Sequence, residues 1–346
     1  MITEHFHRSG RHGTFYLAAG PQDGPLVIFV HGWPELALSW RHQLTAFAAL
    51  GFRAIAPDMR GYGRSTAHAK TSDYTMAEIT RDMVELIDHL GRDKAVWVGH
   101  DWGSPVVWSL AAHHADRCAA VANLCVPYIP DGFVPDNLIP LVDRDLYPVQ
   151  RYPAGQWDYQ LYHLEQFERS RLALEADVRA TVKALMRRGD PALAGKPYRT
   201  ASFRADGGWF GGAGRAPELA MDETVLDEEA LCAYAAALGA HGFTGPDAWY
   251  ANPEVNRAYA KSAPNEGRLE LPVLFLHAAY DWICDTRGSR LAEPMRRACT
   301  QLAEVTVESG HWMQQERPQA VNAALLAWIC REGLVRPACG RSSSAG

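Results

Sequence analysis

The amino-acid sequence predicts an α/β protein with a doubly wound, mostly parallel sheet and an inserted helical cap. Short apolar runs of strand length alternate with helical segments in the first third of the chain, which is typical of β-α-β units. The same alternation returns near the C-terminus after a long helical stretch rich in tyrosine. The chain of 346 residues, 47% of them apolar, is long enough to fill such a core.

The first elements can be placed one by one. The apolar run 26–30 predicts a strand buried on both faces, as strands of parallel sheets are. The helix predicted over 75–90 has the clearest ends, because Thr75 and Glu78 form a capping-box pattern and Gly91 provides a C-terminal stop. The other predictions are strands over 52–56 and 95–98 and helices over 39–50 and 104–114.

The pattern then changes and divides the chain. Residues 1–126 are predicted to form the first part of the core, 127–268 the helical cap, 269–335 the second part of the core and 336–346 a flexible tail. In the second part of the core, strands are predicted over 272–277 and 304–308 and helices over 291–302 and 319–330. The glycine-rich stretch 207–212 follows no strand of nucleotide-binding spacing, and we expect a flexible loop over a pocket.

Composition excludes several classes of partner. The 34 basic and 40 acidic residues give a net charge of −6 without a basic run, so we expect no nucleic-acid partner. The N-terminus is polar, and no apolar run approaches the roughly 20 residues that a membrane span needs, so neither a secretory signal nor a membrane association is expected. Seven cysteines without a CxxC pair predict reduced thiols, a cytoplasmic location and no metal site. No cofactor is expected.

The most informative motif is Gly99-His100-Asp101-Trp102-Gly103, between a predicted strand and a predicted helix. It has the form of a nucleophile elbow, a turn too tight for side chains at the glycines, which exposes the middle residue. That residue is Asp101 rather than serine. A carboxylate attacking an ester would form an anhydride, whereas at a saturated carbon it forms an alkyl ester that water can hydrolyse. The motif therefore indicates epoxide opening or halide displacement, unless Asp101 only caps the following helix.

A loop after the first predicted strand provides the expected oxyanion hole. The loop His31-Gly32-Trp33-Pro34-Glu35 follows the first apolar strand, and we expect the backbone N–H groups of Trp33 and Trp102 to form an oxyanion hole at the Asp101 carboxyl. The histidine and the glutamate of this loop are expected to brace it.

A base and its orienting acid follow the last two predicted strands. His311 comes directly after the last strand and Asp281 after the one before it. The order nucleophile, acid, histidine is that of hydrolases built on such an elbow. Asp285 lies on the same loop as Asp281 and is the alternative acid.

With these motifs, the chain resembles the soluble epoxide hydrolases of the α/β-hydrolase superfamily. The resemblance covers about residues 24–329. Its motifs are residues 31–35, Ser39-Trp40-Arg41, the stretch 58–65, the elbow 99–103 and Gly310-His311-Trp312. It implies an α/β-hydrolase fold with a cap, and hydrolysis of an epoxide to a vicinal diol through a covalent ester on Asp101. Around 196–215 the sequence departs from the family pattern.

The resemblance also implies two cap tyrosines that hydrogen-bond the epoxide oxygen. The stretch 158–162 resembles the first cap motif and indicates Tyr159, with Tyr162 as the alternative; 242–250 resembles the second and indicates Tyr250. A phenol with a pKa near about 10 suits a basic leaving alkoxide. Four tryptophans are expected to contact substrate: Trp33, Trp102, Trp249 and Trp312.

Two other functions compete with epoxide hydrolysis. A haloalkane or haloacid dehalogenase shares the fold, the aspartate and the histidine, but haloalkane enzymes typically have Asn where this chain has Trp33. Fluoroacetate-type enzymes typically have Arg where this chain has Trp102. A non-catalytic binding protein on the same fold is disfavoured by the intact nucleophile, acid and base. The expected partners are an epoxide and water, and a homodimer is left open.

Overall fold

The computed structural model describes residues 1–334 and contains an eight-stranded sheet. The strands are β1 (Thr3–Arg8), β2 (Gly13–Ala19), β3 (Leu26–Val30), β4 (Arg53–Pro57), β5 (Ala95–His100), β6 (Cys118–Leu124), β7 (Leu269–Ala278) and β8 (Cys299–Val307). Their order is β1-β2-β4-β3-β5-β6-β7-β8. β2 pairs antiparallel with β1 and with β4, and all other neighbours are parallel. The predicted fold class is confirmed.

The helices follow in chain order. They are α1 (Arg41–Ala49), α2 (Met76–His89), α3 (Gly103–His113), α4 (Pro135–Leu138), α5 (Asp158–Glu165), α6 (Phe167–Glu175), α7 (Val178–Leu185), α8 (Phe203–Asp206), α9 (Glu228–His241), α10 (Thr244–Ala248), α11 (Pro253–Lys261), α12 (Glu293–Ala298), α13 (Met313–Glu316) and α14 (Pro318–Arg331). Helices α4–α11 all lie between β6 and β7, where the cap is predicted. The exact division at 126/127 and 268/269 stays a prediction, and the predicted tail and Cys339 lie outside the described residues.

The sheet separates two hydrophobic cores. Successive residues of a strand point to opposite faces, so Ile28 and Val30 of β3 pack in one core while Val27 and Phe29 pack in the other. Every residue of β3 is buried, as the sequence predicts for a strand covered on both faces. Burial on both sides fixes the register of the central strands and therefore the positions of the loops that leave them.

The helix α2 begins as predicted, but its capping box is only half formed. The Thr75 hydroxyl accepts a hydrogen bond from the Glu78 N–H at 3.4 Å. The Glu78 carboxylate does not turn back to the cap; it pairs with the Arg11 guanidinium at 2.6 Å. A charged partner is available from the N-terminal segment, and it replaces the reciprocal bond of the motif.

Two parts of the structure differ from the sequence prediction. The helix predicted over 291–302 is wrong at both ends, because α12 covers only Glu293–Ala298 and β8 begins at Cys299. Residues of the predicted helix, such as Leu302, instead pair with the parallel strand β7. In so short a segment, strand pairing outweighs a helical sequence pattern. The strands β1, β2 and β6 were not predicted; β1 is an edge strand with mostly exposed residues, so it lacks a buried apolar run.

The topology brings the loops that carry the predicted site residues to one edge of the sheet. β3, β5, β7 and β8 run parallel, so the loops after their carboxyl ends meet at this edge, where open α/β sheets bind ligands. These loops carry the His31–Glu35 segment, the elbow, Asp281 and His311 respectively. Within residues 1–334, no helix is both long enough and apolar enough to cross a membrane.

Candidate active site

Asp101 occupies a strained turn between β5 and α3. Its φ angle is +49°, a left-handed backbone conformation that residues other than glycine rarely adopt. The turn is tight enough that a Cβ added to Gly103 would lie 2.2 Å from the Val30 carbonyl oxygen. Glycine is therefore required there, and the strain is stored at the residue that the motif exposes.

Two groups contact the Asp101 carboxylate. The Trp33 N–H donates to Oδ1 at 2.6 Å, and Nε2 of His311 lies 3.4 Å from Oδ2. The loop that carries Trp33 is held by the Gly32 N–H, which donates to the Glu35 carboxylate. The other predicted oxyanion donor, the Trp102 N–H, makes no hydrogen bond to this carboxylate within residues 1–334.

His311 and Asp281 form a close pair. Nδ1 of His311 lies 2.6 Å from Oδ2 of Asp281, whose other oxygen accepts the N–H groups of Ile283 and Cys284. Burial raises the pKa of Asp281, but the charge and hydrogen bond of His311 outweigh this effect and leave it below its usual value. Asp285, the alternative acid, accepts instead from backbone N–H groups of its own loop and does not contact the histidine.

The pKa of His311 lies well above its ordinary value. Burial opposes the charged imidazole, but the Asp281 charge and hydrogen bonds to Asp101 and Asp281 outweigh it. The two carboxylates therefore favour the protonated imidazolium, and loss of either negative charge would lower the pKa of His311.

A second buried pair lies behind the nucleophile. The Glu35 carboxylate is 2.7 Å from Nδ1 of His100 and accepts the Gln314 amide at 2.8 Å. Although burial alone would lower it, the Glu35 charge raises the pKa of His100. Nε2 of His100 then donates to the backbone carbonyl of His311 at 2.8 Å. The bracing role expected for Glu35 fits these contacts, whereas His100 was missed; its place beside Asp101 in the elbow is the signal that could have found it.

The same neighbourhood is the one place within residues 1–334 where side chains group as metal ligands do. His100, Cys125 and His311 bring ligand atoms within 4.8 Å of one another. The His100 imidazole and the Cys125 thiol, however, both donate to the His311 carbonyl oxygen. The group thus positions the backbone of the loop that carries His311.

The two predicted cap tyrosines face the same cavity as Asp101. Tyr159 lies on α5 and Tyr250 just after α10, and their ring centroids are 5.9 Å apart. Burial, followed by nearby negative charge including that of Asp101, raises the pKa of both phenols well above the usual value. Both are therefore protonated and able to donate. Tyr162, the alternative, donates instead to the Gly207 carbonyl.

This cavity has a volume of about 300 Å³. Its lining includes Asp101, His311, Asp281, both tyrosines and two of the four predicted tryptophans, Trp33 and Trp312. Trp102 packs edge-on against the Tyr250 ring, and the indole of Trp249 donates to the Arg60 carbonyl. Substrate contact by these two stays a prediction.

The glycine-rich stretch contributes two aromatic side chains to the cavity wall. Trp209 and Phe210 both line it, and the Trp209 ring stacks on Trp33 with centroids 5.1 Å apart. The sequence predicted a loop over a pocket here but gave no role to Trp209. The sequence feature that could have indicated this role is the aromatic pair, Trp209 and Phe210, placed between glycines.

The fold and this arrangement define a class of protein. Residues 25–318 match the model of the α/β hydrolase fold family. The chain belongs to this family and, by its relatives, to the epoxide hydrolases within it.

Three similar proteins illustrate the relationship. Epoxide hydrolase A of Mycobacterium tuberculosis is 36% identical over 90% of this chain and 92% of its own length. Bifunctional epoxide hydrolase 2 of Sus scrofa is 32% identical over 88% of this chain, which spans 51% of that protein. The crystal structure of epoxide hydrolase A from Mycobacterium thermoresistibile superposes with a TM-score of 0.78 at 32% identity, covering 95% of this chain and 98% of the other. The resemblance drawn from the motifs is confirmed.

Proposed function

We propose that this protein hydrolyses an epoxide to a vicinal diol, with Asp101 as the nucleophile. The observation that carries the proposal is the composition of one cavity wall: an elbow carboxylate, a His–Asp pair and two protonated phenols line the same space. A carboxylate suits attack on a saturated carbon, and phenols suit the alkoxide that this attack releases. The named relatives support the same reaction.

In the first half-reaction, an Asp101 oxygen attacks an epoxide carbon and the carbon–oxygen bond of the ring breaks. Tyr159 and Tyr250 hydrogen-bond the ring oxygen, and one of them gives it a proton. The products are a hydroxyalkyl ester on Asp101 and a tyrosinate. The phenols must be protonated for this step, as their raised pKa values ensure.

Formation of the ester also converts His311 into a base. The imidazolium is stabilised by Asp281 and by a hydrogen bond to Asp101. Esterification removes the charge of Asp101, so the pKa of His311 falls and its proton can return to the tyrosinate. The neutral imidazole keeps its proton on Nδ1, which donates a hydrogen bond to Asp281. Nε2 is then free to accept a proton from water.

In the second half-reaction, His311 deprotonates a water that attacks the ester carbonyl carbon. The Trp33 N–H, which already donates to this carboxyl at 2.6 Å, stabilises the oxyanion that develops. The Trp102 N–H is proposed as its partner donor. Collapse of the tetrahedral intermediate releases the diol and restores the Asp101 carboxylate beside an imidazolium.

We further propose that an epoxide and water are the reactants, that neither nucleic acid nor membrane is a partner, and that the protein acts in the cytoplasm. The net charge of −6 supports the first exclusion. Six cysteines within the described residues are free thiols, which supports a reducing compartment. A homodimer remains a prediction.

A single turnover in oxygen-18 water tests the nucleophile. With enzyme in excess, the oxygen that first enters the diol comes from Asp101, so we expect largely unlabelled diol and label in the peptide that contains Asp101. A second turnover should release labelled diol. Direct attack by water on the epoxide predicts labelled diol at once and an unlabelled peptide, and this result would exclude the covalent route. A halide-release assay run beside the diol assay tests the dehalogenase alternative.

A further inference from the structure

Another histidine–carboxylate pair lies in the cap, behind Tyr250. His163 on α5 and Asp247 on α10 are both fully buried, with Nδ1 and Oδ2 3.5 Å apart. The indole N–H of Trp33 donates to the other Asp247 oxygen at 3.0 Å. The indole N–H of Trp209 donates to Nε2 of His163 at 2.9 Å. Each member of the pair thus accepts a hydrogen bond from one indole, and the two half-reactions assign this cluster of four side chains no task.

The Trp209 contact fixes which nitrogen of His163 carries a proton. An indole nitrogen can only donate a hydrogen bond, so Nε2 of His163 must accept it. The imidazole proton is then on Nδ1, which faces the Ser170 hydroxyl at 3.2 Å as well as Asp247. Nδ1 therefore donates to the Ser170 hydroxyl, while Asp247 Oδ2, 3.5 Å away, has no hydrogen-bond partner within residues 1–334. The orientation of the imidazole plane is therefore set from both sides.

This imidazole plane supports the Tyr250 ring. The two rings are parallel within 11° and their centroids are 4.3 Å apart, which is face-to-face contact. Trp33, Trp102 and Tyr159 approach the same phenol edge-on, with interplanar angles of 77° to 89°. His163 is thus the flat surface against which Tyr250 lies, and a tilt of the imidazole would tilt the phenol.

The residue that fixes His163 stands on the glycine-rich stretch. Gly208 has a φ angle of +93°, and an added Cβ would lie 2.4 Å from the Tyr162 ring, so only glycine allows this close approach. The Trp209 carbonyl accepts a hydrogen bond from the Arg199 guanidinium, which also holds the stretch in place. The glycine-rich stretch, where the sequence departs from the family pattern, therefore places the Trp209 indole N–H against Nε2 of His163.

We propose that His163, fixed by Ser170 and by Trp209, is a positioning residue that holds Tyr250 in the orientation needed to hydrogen-bond the epoxide oxygen. This inference rests on the proposed role of Tyr250. It predicts that loss of the contact between Trp209 and His163 slows ring opening and leaves hydrolysis of the ester nearly unchanged, because Tyr250 acts only in the first half-reaction.

The test compares Trp209→Phe, Tyr250→Phe and the double variant by rapid-quench mass spectrometry of the ester. Trp209→Phe keeps a ring against Trp33 but removes the donor, so we expect alkylation about 3- to 10-fold slower, the scale of one neutral hydrogen bond. Hydrolysis of the ester should stay within about twofold of wild type. In the Tyr250→Phe background, Trp209→Phe should cause no further loss, because the group that it positions is already absent.

Three results would overturn the inference: equal proportional losses in both backgrounds, equal slowing of both half-reactions, or no slowing at all. If Tyr250→Phe itself leaves alkylation unchanged, the role of Tyr250 is wrong and the inference falls with it. If Tyr250→Phe slows alkylation but Trp209→Phe does not, the inference alone is wrong.

Two further variants separate an effect on folding from an effect on the proposed contact. Trp97→Phe removes an indole N–H that donates to the Arg117 carbonyl at 3.0 Å in the core, and it should lower thermal stability without changing either half-reaction. His163→Phe keeps an aromatic face against Tyr250 but offers no acceptor. It should reproduce the Trp209→Phe loss, and adding Trp209→Phe to it should have no further effect; additive losses would contradict the proposed contact.

Discussion

Replacement of Asp281 by asparagine should trap the enzyme as its ester, for a reason that the loop geometry supplies. Oδ1 of Asp281 accepts the N–H groups of Ile283 at 3.1 Å and Cys284 at 3.0 Å. In Asp281→Asn the amide oxygen must take this place, because an NH₂ group cannot accept. The NH₂ group then occupies the position of Oδ2, 2.6 Å from Nδ1 of His311, and donates to it.

The consequence is the wrong imidazole tautomer. With Nδ1 forced to accept, the proton of the neutral imidazole moves to Nε2, the nitrogen that faces Asp101 at 3.4 Å. A protonated Nε2 cannot take a proton from water. We expect ester hydrolysis to fall by about 10³- to 10⁴-fold, the scale that the same tautomer error costs a Ser-His-Asp triad. Alkylation should fall by about tenfold at most, since it needs no base.

The measurement is the accumulation and decay of the covalent ester after mixing with substrate, followed by rapid quench and mass spectrometry. Asp285→Asn is the matched control on the same loop, because its carboxylate accepts only nearby N–H groups and does not touch His311. The control should hydrolyse the ester at the wild-type rate. A loss shared equally by both variants, or a loss below about tenfold in Asp281→Asn, would refute the tautomer reasoning.

The remaining predictions concern the other groups in the cavity. His311→Gln should still open the epoxide but remain as the ester, visible as enzyme plus one substrate mass; normal turnover without an adduct would remove His311 from the mechanism. Tyr159→Phe and Tyr250→Phe should each slow alkylation by about 10- to 150-fold, from the loss of one charge-assisted hydrogen bond of roughly 1.5–3 kcal/mol, with hydrolysis of the ester nearly unchanged. The double tyrosine variant should be far slower than either single one, and a wild-type alkylation rate there would show that the pair is misassigned, with Tyr162 next to test.

The central sheet was predictable because burial on both faces leaves a continuous apolar run. Residues 26–30 and 95–98 both read as strands, and both are strands in the structure. The edge strand β1 escaped prediction because its side chains alternate between exposed and half-buried positions, which leaves no apolar run. The error at 291–302 has a different cause: the pairing of β8 with β7 depends on residues about 30 positions away, which a local pattern does not contain.

The site residues could be predicted where a chemically reactive side chain directly follows a strand. Asp101, Asp281 and His311 each follow a parallel strand, so their convergence follows from the fold class alone. The buried contact of His100 with the His311 carbonyl could not be predicted in this way. It joins residues 211 positions apart through a backbone atom, and no residue type in the sequence marks a backbone acceptor.

The two half-reactions are therefore built from parts with different origins. The groups proposed for hydrolysis, including the Trp33 N–H, stand on loops whose positions the sheet ladder fixes. The proposed acids stand on α5 and just after α10, in a helical region with no such ladder, and only a resemblance of short motifs located them. There the orientation of a side chain must come from local packing and hydrogen bonds, as it does where His163 lies flat against Tyr250. Substitutions in the cap should accordingly change the rate of ring opening and the choice of epoxide, while hydrolysis of the ester depends on the sheet edge.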